Sequence, residues 1–322
     1  MRLLALVLAA ALAGACSRHP FEGFFTRGTR HLAAKQYAEA VLEFQNAARV
    51  QPASADTQMK LGEAYAGLGR PAHAAAAYQR ACELDPANTE ACVEAAAALL
   101  GIGQYESAAA EARGILGRDR FNLDAQLILA SALAGVRRFS EAEERLQAAL
   151  AAAPEEARVY RALGDLQRTR GNWKAAEAAL RKAIALQPQA AQNHVWLAII
   201  QILRGQPGAA VELAKQETDP FWRTYALALA YFANGDRAEA DAALKKLIDE
   251  DADESGSQIA EVYALRKEPE KMFEWLEHAW TTHDAGVTEL LNDPFLRAYK
   301  DDPRFIAFAQ KVGVMPKAAA TP

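Results

Sequence analysis

Apolar and small residues recur along this chain at helical spacing, and their register repeats. Ala40, Ala74, Ala108, Ala142, Ala176, Ala210 and Ala240 share one place in a repeating unit. Four residues beyond them stand bulky partners: Phe44, Tyr78, Leu146, Leu180 and Leu244. Residues four apart lie on one helix face, so each alanine with its partner predicts one apolar stripe. A second stripe runs half a unit earlier, with Gly28, Gly62 and Gly164 where two helices must cross closely. Gly69, Gly103, Gly171, Gly205 and Gly235 follow that first helix, where a left-handed residue ends a helix cheaply. Pro52, Pro86, Pro154 and Pro188 stop the second helix. They fall 34, 68 and 34 residues apart, with one beat missed at Arg120. A fixed period of 34 is the mark of stacked helix-turn-helix units. No useful stretch alternates with period two, so essentially no sheet is expected.

The second unit reads Leu61-Gly62-x2-Tyr65, Gly69, Ala74-x3-Tyr78, Ala81 and Pro86. The fifth reads Leu163-Gly164, Gly171, Trp173, Ala176-x3-Leu180, Ala183 and Pro188. This pattern resembles the tetratricopeptide repeat. The resemblance implies an all-α, right-handed superhelical solenoid of about seven to eight helix pairs with a short helical C-terminal cap. Units fall at about 21–54, 55–88, 89–122, 123–156, 157–190, 191–220 and 221–252, with a last helix pair over 253–284. The sixth is short, because Pro220 comes two residues early. The expected organisation is a signal peptide over 1–15, a lipidated linker over 16–20, the repeat array over 21–252, the last helix pair and cap over 253–315, and a flexible tail over 316–322.

The N-terminus reads as a targeting segment. Met1-Arg2 precedes an unbroken apolar or small run from Leu3 to Ala15, shorter than the ~20 residues of a spanning helix. Leu12-Ala13-Gly14-Ala15-Cys16-Ser17 resembles a bacterial lipoprotein box, which implies lipid attachment at Cys16. Ser17 in place of aspartate implies the outer membrane. Secretory cleavage after Ala15 is the rival reading. At the other end, Asn292-Asp293-Pro294-Phe295-Leu296-Arg297 and Asp301-Asp302-Pro303-Arg304-Phe305 predict two helix starts, each with an acidic cap and proline in the first turn. This end resembles the closing segment of bacterial repeat regulators and signalling proteins. Phe295, Leu296, Tyr299, Phe305, Ile306 and Phe308 are expected to cover the last repeat.

Charge and chemistry narrow the function. The chain carries a net charge of −5, one unit more negative once Arg2 is cleaved, and has no basic stripe, so nucleic acid is not expected as a partner. Cys82 and Cys92 flank one turn, and both a disulfide and a pair of small buried hydrophobes fit them. No metalloprotease, paired-cysteine, phosphate-loop or nucleophile-elbow motif occurs. His278 and His283 are spaced by five, off a common helix face. We therefore expect no catalytic residues, no cofactor and no metal.

The resemblance places partner binding on the inner faces of the first helices. There stand Arg158, Arg161 and Arg168, then an apolar wall that includes Trp196, Ile199, Trp222, Tyr225 and Phe232. The arginines read either as a clamp for acidic groups or as a solvated face. The wall is too aromatic to stay wet, so either the C-terminal segment folds over it or it grips a partner. The function expected is a membrane-anchored periplasmic scaffold or assembly lipoprotein at the outer membrane. It would hold protein partners in envelope, secretion or pilus machinery. The alternative is a periplasmic carbohydrate or small-ligand binder using the aromatic groove.

Overall fold

A computed structural model of the 322-residue chain describes residues 20–282 and 284–314. Cys16 and its flanking box lie outside the described residues, as does His283. Among the described residues there are seventeen α-helices, two short 3-10 turns and no strand. None of these helices is long and apolar enough to cross a membrane. The chain divides after Ala98 into two compact units.

The first unit holds α1 (Pro20–Ala33), α2 (Tyr37–Val50), α3 (Ala55–Gly67), α4 (Pro71–Leu84) and the start of α5 (Thr89–Gly101). Its glycines explain the crossings. A Cβ on Gly28 would stand 2.8 Å from the Phe44 ring, and one on Gly62 only 2.6 Å from the Tyr78 ring. Gly67 plays the same part against Tyr37, at 2.2 Å. Gly62→Ala is therefore expected to overpack the crossing and cost about 1–3 kcal/mol in thermal unfolding; an unchanged Tm would refute the crossing argument. A disulfide joins Cys82 at the end of α4 to Cys92 in α5, with Cα atoms 4.7 Å apart.

The second unit continues with α6 (Tyr105–Arg118), α7 (Leu123–Gly135), α8 (Phe139–Ala152), α9 (Ala157–Thr169), α10 (Trp173–Leu186), α11 (Asn193–Leu203), α12 (Pro207–Gln216), α13 (Pro220–Asn234), α14 (Arg237–Asp251), α15 (Gly256–Arg266), α16 (Pro269–Thr281) and α17 (Pro303–Lys311). Gly164 packs on Leu180 and Gly135 on Tyr105, as in the first unit.

The residues that end the second helices share one backbone conformation. Gln51, Asp85, Ala153 and Gln187 all sit near φ −135° and ψ 80°, an extended region compatible with a following proline. Asp119, before the missed beat, has φ −132° and ψ 90° without that proline. Arg120→Pro should therefore be accommodated and stabilise by about 0.4–1 kcal/mol, read as a higher Tm. Pro220 acts differently from its neighbours on the ruler. It stops nothing, because α12 has already ended at Gln216. It occupies the first turn of α13, and Asp219 Oδ1 caps that helix by accepting from Trp222 N at 3.0 Å. The five expected left-handed glycines all have positive φ, while Lys35, Arg137 and Lys267 end their helices left-handed without glycine.

After α16 the chain turns back. Asp284 Oδ2 accepts from Ser257 N and Oγ at 2.8 and 2.7 Å, pinning the turn to the start of α15. A 3-10 turn over Ala285–Glu289 follows, and a second over Leu296–Tyr299. The two Asp-Pro pairs part ways here. Asp302 caps a true helix, α17, but Asp293 caps only the second 3-10 turn, accepting from Phe295 N and Leu296 N at 2.8 Å each. Leu290, Phe295, Leu296, Phe305 and Phe308 are buried, and Ile306 is only half-buried. The repeat period persists in this end: Pro269 and Pro303 open α16 and α17, and Arg304–Glu270 and Lys311–Glu277 pair across the same 34-residue interval.

Candidate functional site

The wall read from α11 and α13 is not a free groove. Ile199 and Tyr225 are 1% and 0% exposed and share one core with Leu290, Phe295, Leu296 and Phe305. Tyr225 Oη donates to Glu261 of α15, and Ile199 and Tyr225 are closed off within this core, so they do not form an open partner surface. Trp222 is half-buried, its ring edge-on to Phe221 and Tyr225 at 4.9 and 6.0 Å. Phe232 stands apart, with Arg237 at 4.0 Å and Arg266 at 5.2 Å from its ring. Arg158 is engaged on the surface: Nη1 donates to Asp124 Oδ1 at 2.7 Å and Nε to Glu156 Oε1 at 3.1 Å.

What the returning segment leaves open is a cavity of about 290 Å³ within the second unit. Ala130, Ala134, Ala162 and Leu166 make an apolar floor from α7 and α9. Arg161 and Arg168 from α9 and Trp196 from α11 border it, so three of the expected groove residues do meet there. Opposite them stand Glu261 of α15 and Glu289, Asn292 and Asp293 of the return. The far end is closed where Tyr105 Oη donates to Glu289 Oε1 at 3.2 Å and Thr288 packs on Gly103.

The Arg168 guanidinium lies over the Trp196 ring, 4.9 Å from its centroid. Its Nε stays 3.9 Å from Asp165 Oδ1, beyond hydrogen-bond reach, and both atoms are buried without a partner. Asp165 keeps 40% of its side chain accessible, yet desolvation raises its carboxyl against the pull of Arg168 and Arg161. Glu261 accepts a short hydrogen bond from Tyr225 Oη. Burial first, and the nearby Asp293 second, push the Glu261 carboxyl well above the ordinary range. Burial likewise lifts Asp293 to about 6 despite its two backbone donors. Burial, with Glu289 beside it, raises the Tyr105 hydroxyl.

Glu261 and Glu289 are residues that pattern reasoning passed over. The one available signal was a glutamate between Ala260 and Val262, in an otherwise apolar run from Ile259 to Ala264. The arrangement offers paired acids and two arginines around an apolar floor. That suits binding of a small polar molecule.

Two family profiles, both described as tetratricopeptide repeat, match the chain, one at residues 25–89, 129–191 and 162–221 and the other at 225–254. Among solved structures, a tetratricopeptide repeat protein from Parabacteroides merdae ATCC 43184 is similar at a TM-score of 0.63 and 15% identity, over 79% of this chain and 98% of that one. MamA from Desulfovibrio magneticus RS-1 is similar at a TM-score of 0.47 and 22% identity, over 53% of this chain and 96% of that one. No curated protein matches. The profile matches together span more than half of the residues, the crossings and turns follow the same period, and the chain belongs to the tetratricopeptide repeat family.

Proposed function

We propose that the protein is a lipid-anchored, periplasm-facing scaffold of the bacterial outer membrane that holds protein partners and performs no chemistry itself. The observation that carries this reading is the repeat array, since such stacks present extended surfaces for other proteins. The Cys16 box supports the anchor, and the Cys82–Cys92 disulfide supports export, because such bonds persist in oxidising compartments. The partners in this reading belong to envelope machinery such as secretion or pilus assembly.

Cys16→Ala is expected to abolish fatty-acid labelling and move the protein from the membrane to the soluble fraction. Membrane retention without label in both forms would sink the anchor. Crosslinking in cells tests the scaffold: recovery of no envelope protein in contact with the array would refute it. A second reading, a periplasmic binder of carbohydrate or another small ligand, is favoured by the partly open cavity beside Trp196.

A further inference from the structure

We propose that the open end of the first helix hairpin, where α1 begins and α2 ends, rests on a lipid bilayer surface through Phe21, Phe24 and Val50. Such a contact presupposes the lipid anchor at Cys16 and adds a second hold to it, so that the first unit stands on the membrane in one orientation.

The repeat itself does not call for these rings. In the next two units the places of Phe21 and Phe24 are held by Ala55 and Gln58, then by Thr89 and Cys92. Phe25 serves the helix crossing, edge-on to Phe44 at 5.7 Å. Phe21 stacks outward on Phe25, and Phe24 lies 5.0 Å from the Arg27 guanidinium; both rings stay half-buried. Arg27 pairs with Glu43 and Gly28 meets Phe44, so the two helices run antiparallel and Val50 comes level with Phe21. Val50 is 45% exposed. A second copy of the chain is a poor occupant for this end. Where α3 buries Leu61 and Ala64, α1 carries Arg27 and Arg30, so this edge of the array is already polar. What lies close is the anchor: Pro20 follows Cys16 by four residues, which keeps the helix start within about 14 Å of the acylated residue. Phenylalanine at the start of an amphipathic helix suits the boundary between headgroups and acyl chains. Charge agrees, since residues 17–35 hold Arg18, Arg27, Arg30 and Lys35 against Glu22 alone in a chain of net charge −5, although Glu43 already neutralises Arg27.

Photocrosslinking of the full chain in intact cells tests this, with p-benzoylphenylalanine in place of Phe24, of Phe21 and, for comparison, of Leu42. Leu42 is 57% exposed on the side of α2 away from Phe44. In protein that carries fatty-acid label, lipid adducts from position 24 are expected at least about fivefold above those from position 42. Circular dichroism checks the fold of each variant, and position 21 serves should position 24 disturb it. Label with no such excess of lipid adducts, or with adducts to a protein in their place, leaves the anchor standing and overturns the bilayer contact. Absence of label overturns the anchor; lipid adducts from position 24 would then still uphold the contact, and their absence would end both.

Discussion

Phe305→Ala is expected to cost the second unit about 3–5 kcal/mol, the range for removing a fully buried aromatic ring. Phe305 is 0% exposed and shares a core with Tyr225, Ile199 and the return segment. By contrast, the pairs that tie α17 to α16, Arg304–Glu270 and Lys311–Glu277, are solvent-exposed and screened by water, so they contribute little. Arg304→Ala should therefore lower Tm only slightly. In Phe305→Ala, loosening of α17 would expose apolar surface of that core, read as binding of a hydrophobic dye. A small Tm change with no dye binding would mean that α17 merely decorates the surface.

Asp293→Asn should stabilise the protein at pH 8 and leave it unchanged near pH 4. In the unfolded chain Asp293 ionises near 3.9, whereas burial lifts it to about 6 in the fold. Between those values the folded state holds a proton that the unfolded chain has released. Stability from this group is thus complete below about pH 4 and is lost as pH rises through 6. The groups facing it are Glu261, with Tyr225 bonded to it, Glu289, and Arg168, whose attraction only partly opposes the burial. Asparagine keeps an oxygen to accept from Phe295 N and Leu296 N and carries no charge. The gain at pH 8 is expected to be about 2–3 kcal/mol by chemical unfolding. A variant less stable than wild type at every pH would show that Arg168 attraction outweighs burial.

Much of this architecture could be read from spacing because repeated positions average out local noise. Gly62 and Tyr78 stand in the same relation as Gly164 and Leu180, so each copy confirms the other. Features that occur once had no such support. Arg137 ends a helix with left-handed backbone although glycine is the usual residue there, and nothing in its identity announces this. Pro220 kept nearly to the ruler while doing the opposite job, since proline both ends and begins helices. The wall of Tyr225 and Ile199 was legible as something that must be covered, but an apolar face reads alike whether its cover is the same chain or another. The cavity was not legible at all, because Arg168, Glu261 and Asp293 come from α9, α15 and the return of the chain, far apart in sequence.

That return also changes what kind of array this is. Open stacks lengthen or shorten by whole units, because each touches only its neighbours. Here Tyr105 reaches Glu289 across 184 residues of sequence and Gly103 abuts Thr288, so the second unit closes on itself like a buckled belt. Inserting or deleting one repeat between α7 and α14 would carry the buckle past its hole. A variant with one repeat added or removed there is therefore expected to lose the Tyr105–Glu289 contact.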